Sequence, residues 1–398
     1  MDVWNSKRVT MCSTFFMFSI LVLSGCYGNG NDGSSVPFSA LTTAIAGDGI
    51  GASAQFNSPS AITTDGTNLY VADSGNNTIR QIVIASNWVT TIAGSKGVSG
   101  SSDGTHSKAL FNSPYGIMTD GTYLYVTDTL NNAIRKVTIA TGVVTTLSSQ
   151  LNYPQGITAD GTNFYVANTH GNSILEVAIL TGTGNTLAGT TTAGSSNSTD
   201  GTGATTQFYA PEGVATDGTN LYVIDTDNNS VRSIVIATGA TTTLVGPAGS
   251  ALCVPDTVSS TAPLVCPSGS NDGTGSAAQF NSPSGITIDP TKTYLYVADT
   301  GNNSIRRVVI ATGATSTLAG PSGSTLCTPA TSTTPAACPS GSNNGTGSAA
   351  QFNSPFGITT DGTNLYVADT NNNTIRKVAI ASGVVTTLAG TAPLQSTQ

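Results

Sequence analysis

Hydrophobic positions beyond residue 40 fall into short runs rich in Val, Ile, Leu and Tyr, as in Leu69-Tyr70-Val71-Ala72. Turn-forming pairs separate these runs, with Asp-Gly before this one and Asn-Asn after it. Four such runs in succession are typical of four strands that form one antiparallel sheet. The pattern therefore predicts an all-β chain that is built from small sheets.

The four-run unit recurs six times, and each copy begins with a proline: Pro59, Pro114, Pro154, Pro211, Pro283 and Pro355. A single sheet of this kind would expose an apolar face on either side, whereas stacking of the copies around a ring covers both faces. We therefore predict a six-bladed β-propeller of four-stranded antiparallel blades over residues 41–398. The blades are expected near 54–94, 110–149, 151–189, 207–246, 279–320 and 351–390.

The repeated pattern Pro-x-Gly-Ile, followed by Leu-Tyr-Val-Ala-Asp-Thr-x-Asn-Asn-x-Ile-Arg, resembles the NHL repeat. The resemblance covers roughly residues 41–390 and implies a propeller of the NHL type. It implies little about activity, because this fold hosts many unrelated functions. The chain offers seven outer strands for six blades, so either Leu41–Gly47 or Val384–Gly390 is expected to close the ring beside the third strand of blade six.

An Asp and an Arg stand seven positions apart in five of the six copies. A two-residue turn at Asn76-Asn77 would place Asp73 opposite Arg80, so we interpret these residues as structural ion pairs. The pairs are Asp73/Arg80, Asp128/Arg135, Asp225/Arg232, Asp299/Arg306 and Asp369/Arg376. Blade three has Asn168 and Leu175 instead, so both partners are missing together. A tyrosine column in the second strand is expected to pack between blades: Tyr70, Tyr125, Tyr165, Tyr222, Tyr296 and Tyr366.

The N-terminus has the pattern of an export signal. Lys7 and Arg8 precede an apolar stretch of about 15 residues, which is shorter than the ~20 residues of a membrane-spanning helix. It ends in Leu23-Ser24-Gly25-Cys26, which resembles the lipobox of bacterial lipoproteins. We therefore expect a signal peptide at 1–25, a lipid on Cys26, and a flexible tether to residue 40. The mature protein would be anchored in the cell envelope, at the outer membrane or the cell surface, through this lipid alone.

Four further cysteines lie in two nearly duplicate segments, Cys253 to Cys266 and Cys327 to Cys338. Because each segment is a copy of the other, we predict one local disulfide in each. A metal site made from all four thiolates is the alternative, but the segments lack the Cys-x-x-Cys spacing of such sites.

Composition restricts the function. Charged residues make up 9% of the chain and the net charge is −8, so no cationic stripe is available for nucleic acid. With two His and two Glu, a multi-histidine metal site cannot be built, and no metal or cofactor is expected. The sequence has no Gly-x-Ser-x-Gly motif for a nucleophilic serine.

The residue after each anchor proline differs between copies, although its neighbours repeat. These positions are expected near the central channel on one face of the ring, together with variable turn residues His170 and Asp227. We predict a ligand-binding surface at Ser60, Tyr115, Gln155, Glu212, Ser284 and Phe356. Oxygen and nitrogen atoms of Glu212, Asp225, Asp227 and His170 could also hold a cation, and this question is left open.

These observations favour a non-enzymatic, monomeric, envelope-anchored scaffold that binds a protein or a glycan. One alternative is a lyase or hydrolase in the channel, as in the amidating lyases, streptogramin-type lyases and gluconolactonase-like hydrolases that the NHL pattern resembles. The other alternative is a structural or adhesive surface protein. Further channel-facing ligands besides Glu212 would favour the enzyme.

Overall fold

The computed structural model describes residues 47–190, 199–247, 268–323, 327 and 338–393, and the backbone of Val254–Pro255 and Leu264–Val265. Six sheets each contain four main strands that pair antiparallel in chain order, so every blade is one continuous segment. The six sheets stack around a channel as a β-propeller, as the repeat predicted. No helix in these described ranges is long and apolar enough to span a membrane.

The main strands of the first three blades are Pro59–Thr64, Asn68–Asp73, Thr78–Val83 and Trp88–Gly94; Pro114–Thr119, Tyr123–Asp128, Ala133–Thr138 and Val143–Ser148; and Pro154–Ala159, Asn163–Asn168, Ser173–Ala178 and Gly184–Gly189. Those of the last three blades are Pro211–Thr216, Asn220–Asp225, Ser230–Val235 and Ala240–Val245; Ile286–Ile288, Tyr294–Asp299, Ser304–Val309 and Ala314–Ala319; and Pro355–Thr360, Asn364–Asp369, Thr374–Ala379 and Val384–Gly390.

Five blades have a short fifth strand that the sequence pattern did not predict. Each consists of two residues, pairs with the outer strand of its own blade, and leads into a single turn of 3-10 helix. These strands are Gly49–Ile50, Gly104–Thr105, Gly201–Thr202, Gly273–Thr274 and Gly345–Thr346. The 3-10 turns that follow are Gly51–Ser53, His106–Lys108, Gly203–Thr205, Gly275–Ala277 and Gly347–Ala349.

The hydrophobic core consists of six clusters, and each lies between two neighbouring blades. The tyrosine column joins these clusters, because each ring packs against the strands of the next blade. Tyr70 of blade one, for example, packs with Leu124 and Val126 of blade two. Tyr366 of blade six packs with Leu69 and Val71 of blade one, which closes the ring. The stacking of blades thus supplies the burial that one sheet cannot achieve alone.

The Asp-Gly-Thr turn holds the other end of the tyrosine side chain. Asp65 Oδ1 accepts hydrogen bonds from the backbone N–H groups of Thr67 (2.8 Å) and Asn68 (2.7 Å), and Oδ2 accepts one from the Tyr70 hydroxyl (2.8 Å). Burial alone would raise the pKa of Asp65, but these hydrogen bonds outweigh it and lower the pKa. The same tyrosine bond occurs at Asp120, Asp160, Asp217 and Asp361.

A second conserved geometry joins the blades at their tops. The second asparagine of the Asn-Asn turn lies in the left-handed region. Its Oδ1 accepts a hydrogen bond from the backbone N–H of the residue before the anchor proline of the next blade. Asn77 Oδ1 accepts from Ser113 N at 2.8 Å, and Asn373 closes the ring by accepting from Ser58 N at 2.7 Å. The other four contacts are made by Asn132, Asn172, Asn229 and Asn303.

Strand Val384–Gly390 pairs with Thr374–Ala379, the third strand of blade six. Of the two strands predicted to close the ring, this C-terminal one therefore occupies the place. Most of the alternative strand, residues 41–46, lies outside the described residues, as do the signal peptide, Cys26 and the tether.

The second predicted disulfide is present and joins Cys327 to Cys338. Both cysteines are buried, and Cys338 O accepts a hydrogen bond from Asn303 Nδ2 at the top of blade five (3.0 Å). Cys253 and Cys266 lie outside the described residues, so their pairing stays a prediction. The short strands next to them in sequence, Val254–Pro255 and Leu264–Val265, pair with each other antiparallel.

Candidate functional site

The turn between the second and third strands differs from the predicted two-residue turn. Four residues connect these strands: a 3-10 turn at Ser74–Asn76 and then Asn77 at φ +57°. Asp73 therefore lies opposite Thr78, and Arg80 lies opposite Val71, so the predicted pairing of Asp73 with Arg80 is wrong in register. The arginine nevertheless reaches the aspartate diagonally, because its long side chain spans the shift of two residues.

Each of the five arginines lies at the centre of a hydrogen-bond network. Arg80 Nη1 donates to Asp73 Oδ2 (2.8 Å), whereas Nη2 donates to Asp48 Oδ1 (3.0 Å) and Gly47 O (2.8 Å). The guanidinium also lies 5.1 Å from the centre of the Phe56 ring, within cation–π range. Equivalent contacts with aspartate and phenylalanine surround Arg135, Arg232, Arg306 and Arg376.

These networks fix the loop that leads into the first strand of each blade. Asp48 also accepts a hydrogen bond from Thr91 in the outer strand (2.9 Å), so it joins the loop to the edge of the sheet. In blade six Asn344 replaces this aspartate and contacts Arg376 Nη2 at 3.0 Å. Blade three has neither the Asp–Arg pair nor, in its described part, the short fifth strand. The whole network is therefore replaced together in this blade.

The buried aspartates are committed to this network. Asp225 accepts hydrogen bonds from Arg232 Nη1 (2.8 Å), Asn228 Nδ2 (2.9 Å) and Tyr209 N (2.7 Å). Burial raises the pKa of Asp225, and the charge of Arg232 opposes this shift. Asp225 is therefore not free to join Glu212 and Asp227 around a cation. The described residues contain no cluster of three His, Cys, Asp or Glu side chains suited to a metal ion.

The first strands of the blades approach one another closely around the channel. In blades two to six a glycine stands two positions after the proline position, and a side chain there would collide with the next blade. A Cβ on Gly156, for example, would meet the carbonyl oxygen of Glu212. This close approach brings the variable positions together around one opening. Five of the six line a cavity of about 80 Å³: Ser60, Tyr115, Glu212, Ser284 and Phe356.

Gln155, the sixth position, is not among the residues that line this cavity. Its side chain is 5% exposed, and the adjacent Gly156 forms the wall instead. Gln155 Oε1 is buried and has no hydrogen-bond partner among the described residues. Buried polar atoms are normally paired, so this atom is an unused acceptor close to the channel.

Glu212 has a similar unused oxygen inside the cavity. Its Oε2 is buried and makes no hydrogen bond within the described chain. Burial, and secondarily the negative charge of Asp227, raises the pKa of Glu212 to about 8. The carboxyl group is therefore mostly protonated at neutral pH. The same burial, together with the charge of Glu212, raises the pKa of Tyr115.

A wider hollow opens beside the channel, above blades six, one and two. It has a volume of about 260 Å³, and two aromatic rings and several hydroxyl groups line it. The Tyr115 and Phe356 rings meet edge to face, with centres 5.6 Å apart, and both also line the channel cavity. The hydroxyl groups belong to Ser58, Ser60, Ser74, Ser113 and Thr370. An aromatic wall with a few polar groups is typical of ligand pockets.

The remaining predicted positions lie at the rim of this face. His170 is exposed and stacks on Tyr153, with ring centres 4.0 Å apart and planes inclined by 10°. Asp227 is exposed, and its backbone N–H donates to Tyr209 O at 3.2 Å. Sequence reasoning missed Tyr153 and, among the residues of the hollow, Ser58, Ser74 and Ser113. Ser58, Ser113 and Tyr153 stand just before an anchor proline, where four of the six copies have Ser and the other two have Tyr and Ala.

Comparison with known proteins gives the following relatives, although no protein-family model matches the chain. NHL repeat-containing protein 2 of Gallus gallus is 28% identical over 372 residues, covering 83% of this chain and 47% of the relative. The protein of that name from Homo sapiens is 32% identical over 173 residues, covering 42% of this chain and 20% of the relative. The chain thus spans about half the length of the first relative and less of the second.

Among solved structures, an auxiliary nutrient binding protein from Bacteroides thetaiotaomicron superposes with a TM-score of 0.58 at 16% identity. The match covers 84% of this chain and 70% of that protein. At this identity the likeness shows the fold alone. Six copies of the repeat, six blades, and relatives named for the same repeat agree with one another. The chain is a six-bladed β-propeller whose repeat is similar to that of the NHL repeat-containing proteins.

Proposed function

We propose that the protein is a non-enzymatic binding scaffold whose top face, the face that carries the 3-10 turns after the second strands, holds a protein or glycan ligand. The observation that carries this proposal is the contrast within the repeat. The surrounding positions are nearly identical in six blades, whereas the positions that meet at the channel differ in size, charge and polarity. A regular frame that presents a varied surface is suited to recognition.

The chemistry of the channel supports binding over catalysis. Glu212 is the one carboxyl group among the described residues that line the cavity, and the aspartates of the blades are held by arginines. A lyase or hydrolase would therefore depend on Glu212, with Tyr115 as the other ionisable side chain in the described cavity wall. The hollow beside the channel supplies aromatic surface and hydroxyl groups, which suit recognition of a polar ligand.

The fold neighbour described as an auxiliary nutrient binding protein is consistent with a binding role for this scaffold. Its low identity means that its ligand is not transferred to this chain. The finer part of the proposal, a ligand on the top face, rests on the residues of this chain.

A capture experiment tests the proposal. The full chain, solubilised in mild detergent and immobilised, would be incubated with envelope glycans and envelope proteins of its own organism. We expect a captured ligand whose affinity falls on the order of tenfold or more in Tyr115→Ala/Phe356→Ala, because central aromatic anchors dominate binding energy. Leu180→Ser is the matched control, since Leu180 is 94% exposed in a turn on the opposite face. A ligand held equally by wild type and the double variant would place binding elsewhere.

We further propose that the scaffold is exported and held in the envelope by a lipid on Cys26. The lipobox-like sequence before Cys26 supports this, and export is consistent with the disulfide between Cys327 and Cys338. Cys26→Ser should move the protein from the membrane fraction to the supernatant or leave its signal unprocessed. Intact-mass measurement checks the wild type directly: a mature protein without lipid contradicts the anchor.

A further inference from the structure

Two unused acceptors belong to the first strands of neighbouring blades, three and four. Glu212 Oε2 and Gln155 Oε1 are both buried without partners among the described residues, and Gly156 places the two blades in close contact. An acceptor that is buried and unpaired costs free energy, so these atoms can each accept a hydrogen bond from a donor that the described residues do not supply. The cavity that Glu212 lines, of about 80 Å³, has room for a group larger than one water molecule.

We propose that the channel binds a primary ammonium group, with Glu212 Oε2 as acceptor and the Tyr115 and Phe356 rings beside the methylene chain. The inference deepens the proposed binding function and rests on it. An ammonium group brings three N–H donors and a positive charge, whereas both unused atoms can only accept when Glu212 is ionised. No Lys or Arg lines the cavity in the described ranges, and the net charge of −8 favours a cationic ligand.

The surroundings favour an organic cation over a metal ion. Calcium needs six to eight oxygen ligands and magnesium needs a near-octahedral set, and the one carboxylate of the described cavity wall provides too few. Aromatic rings attract organic cations within about 6 Å of the ring centre, and Tyr115 and Phe356 border the same cavity. The wider hollow that shares these two rings provides the route by which a chain bearing the ammonium group enters.

Ammonium binding must be linked to a proton. Burial raises the pKa of Glu212 to about 8, so the free protein holds this proton at neutral pH and must release it to form the ion pair. The affinity for the ammonium group should therefore increase as pH rises, on the order of tenfold per pH unit below about 8, and should level off above that pH. Lysine-type amines keep their charge in this range because their pKa lies near 10.4.

Neighbouring ionisable side chains also affect the charge at Glu212. Asp227, in the turn of the same blade, adds negative charge that favours an ammonium ligand. Tyr115 lines the same cavity as Glu212. The charge of Tyr153 helps to raise the pKa of Tyr115, and His170 stacks on Tyr153. A His170→Gln variant tests whether this side chain contributes to binding.

Calorimetric titration of the full chain in mild detergent tests the inference, with butylammonium as the probe and butanol as the uncharged match. We expect butylammonium to bind, to bind more tightly at pH 8.5 than at pH 6.5, and to release about one proton at pH 7, seen as a dependence of the heat on the buffer. Glu212→Gln should weaken binding on the order of tenfold to hundredfold at pH 8.5 and abolish proton release. Glu176→Gln is the matched control, because Glu176 bonds Asn163 away from the channel.

Equal binding of butylammonium and butanol, pH-independent affinity, or full binding by a folded Glu212→Gln variant would overturn the inference. If that occurs while the capture experiment still yields a ligand that depends on Tyr115 and Phe356, the ammonium inference is wrong and the binding function stands. A lysine-containing peptide with blocked ends distinguishes the source. Tighter binding of the peptide than of butylammonium assigns the group to a protein partner, and weaker binding assigns it to a small amine; both results support the ammonium site.

Discussion

Replacing Asp299 with Asn is expected to lower the free energy of unfolding by about 3–5 kcal/mol, because it removes the buried one of the two carboxylates that pair with the buried Arg306. Arg306 is fully buried and donates to Asp299 Oδ2 at 2.7 Å. A guanidinium group is not deprotonated in proteins, so the buried positive charge stays after the substitution. Urea-induced unfolding of the variant and the wild type gives the difference directly.

The double variant Asp299→Asn/Arg306→Leu tests whether the two side chains stabilise the fold as a pair or independently. Its residues are those that blade three carries at the equivalent positions, Asn168 and Leu175. We expect it to be more stable than the sum of the two single changes predicts, because no buried charge remains unpaired and Asp272, the second partner of Arg306, is half-exposed. Recovery should be partial, because Arg306 also donates to the carbonyl oxygens of Gln279 and Asn271. Strictly additive losses would mean that the two residues are not coupled.

Tyr366→Ala is expected to cost about 3–5 kcal/mol, because it empties a large buried site between blades. Tyr366 is 1% exposed and packs against Leu69 and Val71 across the seam between blades six and one. Its hydroxyl donates to Asp361 Oδ2 at 2.9 Å, so Tyr366→Phe is the control and should cost only ~1 kcal/mol. Thermal or urea unfolding checks both variants. A cost for the alanine variant as small as that for phenylalanine would contradict the packing role of the tyrosine column.

The repeat predicted the blades because its information is local. Alternating apolar positions, turn dipeptides and the anchor prolines define strands and sheets within one copy, and six copies leave a ring as the way to cover both faces. The pairing of Asp and Arg was also accessible, since both residues disappear together in blade three. The register of this pairing could not be predicted, because the same Asn-Asn dipeptide fits a tight two-residue turn and a 3-10 turn followed by a left-handed asparagine.

The contacts that sequence reasoning missed join residues distant in the chain. Arg80 meets Asp48 across 32 positions, and Asn373 accepts from Ser58 across 315. The convergence of Tyr115 and Phe356 likewise depends on ring closure, which brings blades two and six to either side of blade one. Unpaired acceptors such as Gln155 Oε1 cannot be recognised until every neighbouring donor is placed.

The central claim is that a constant frame binds its ligand through the variable channel positions, and one variant tests it. Tyr115→Ser/Gln155→Ser/Glu212→Ser/Phe356→Ser makes all six positions serine, as Ser60 and Ser284 already are. The affinity of this variant for the captured ligand and for butylammonium would be measured by calorimetry, with thermal unfolding as the check on folding. We predict a folded propeller whose affinity falls on the order of a hundredfold or more, since the anchors of the site are gone. A folded variant that binds both ligands as tightly as the wild type would contradict the account.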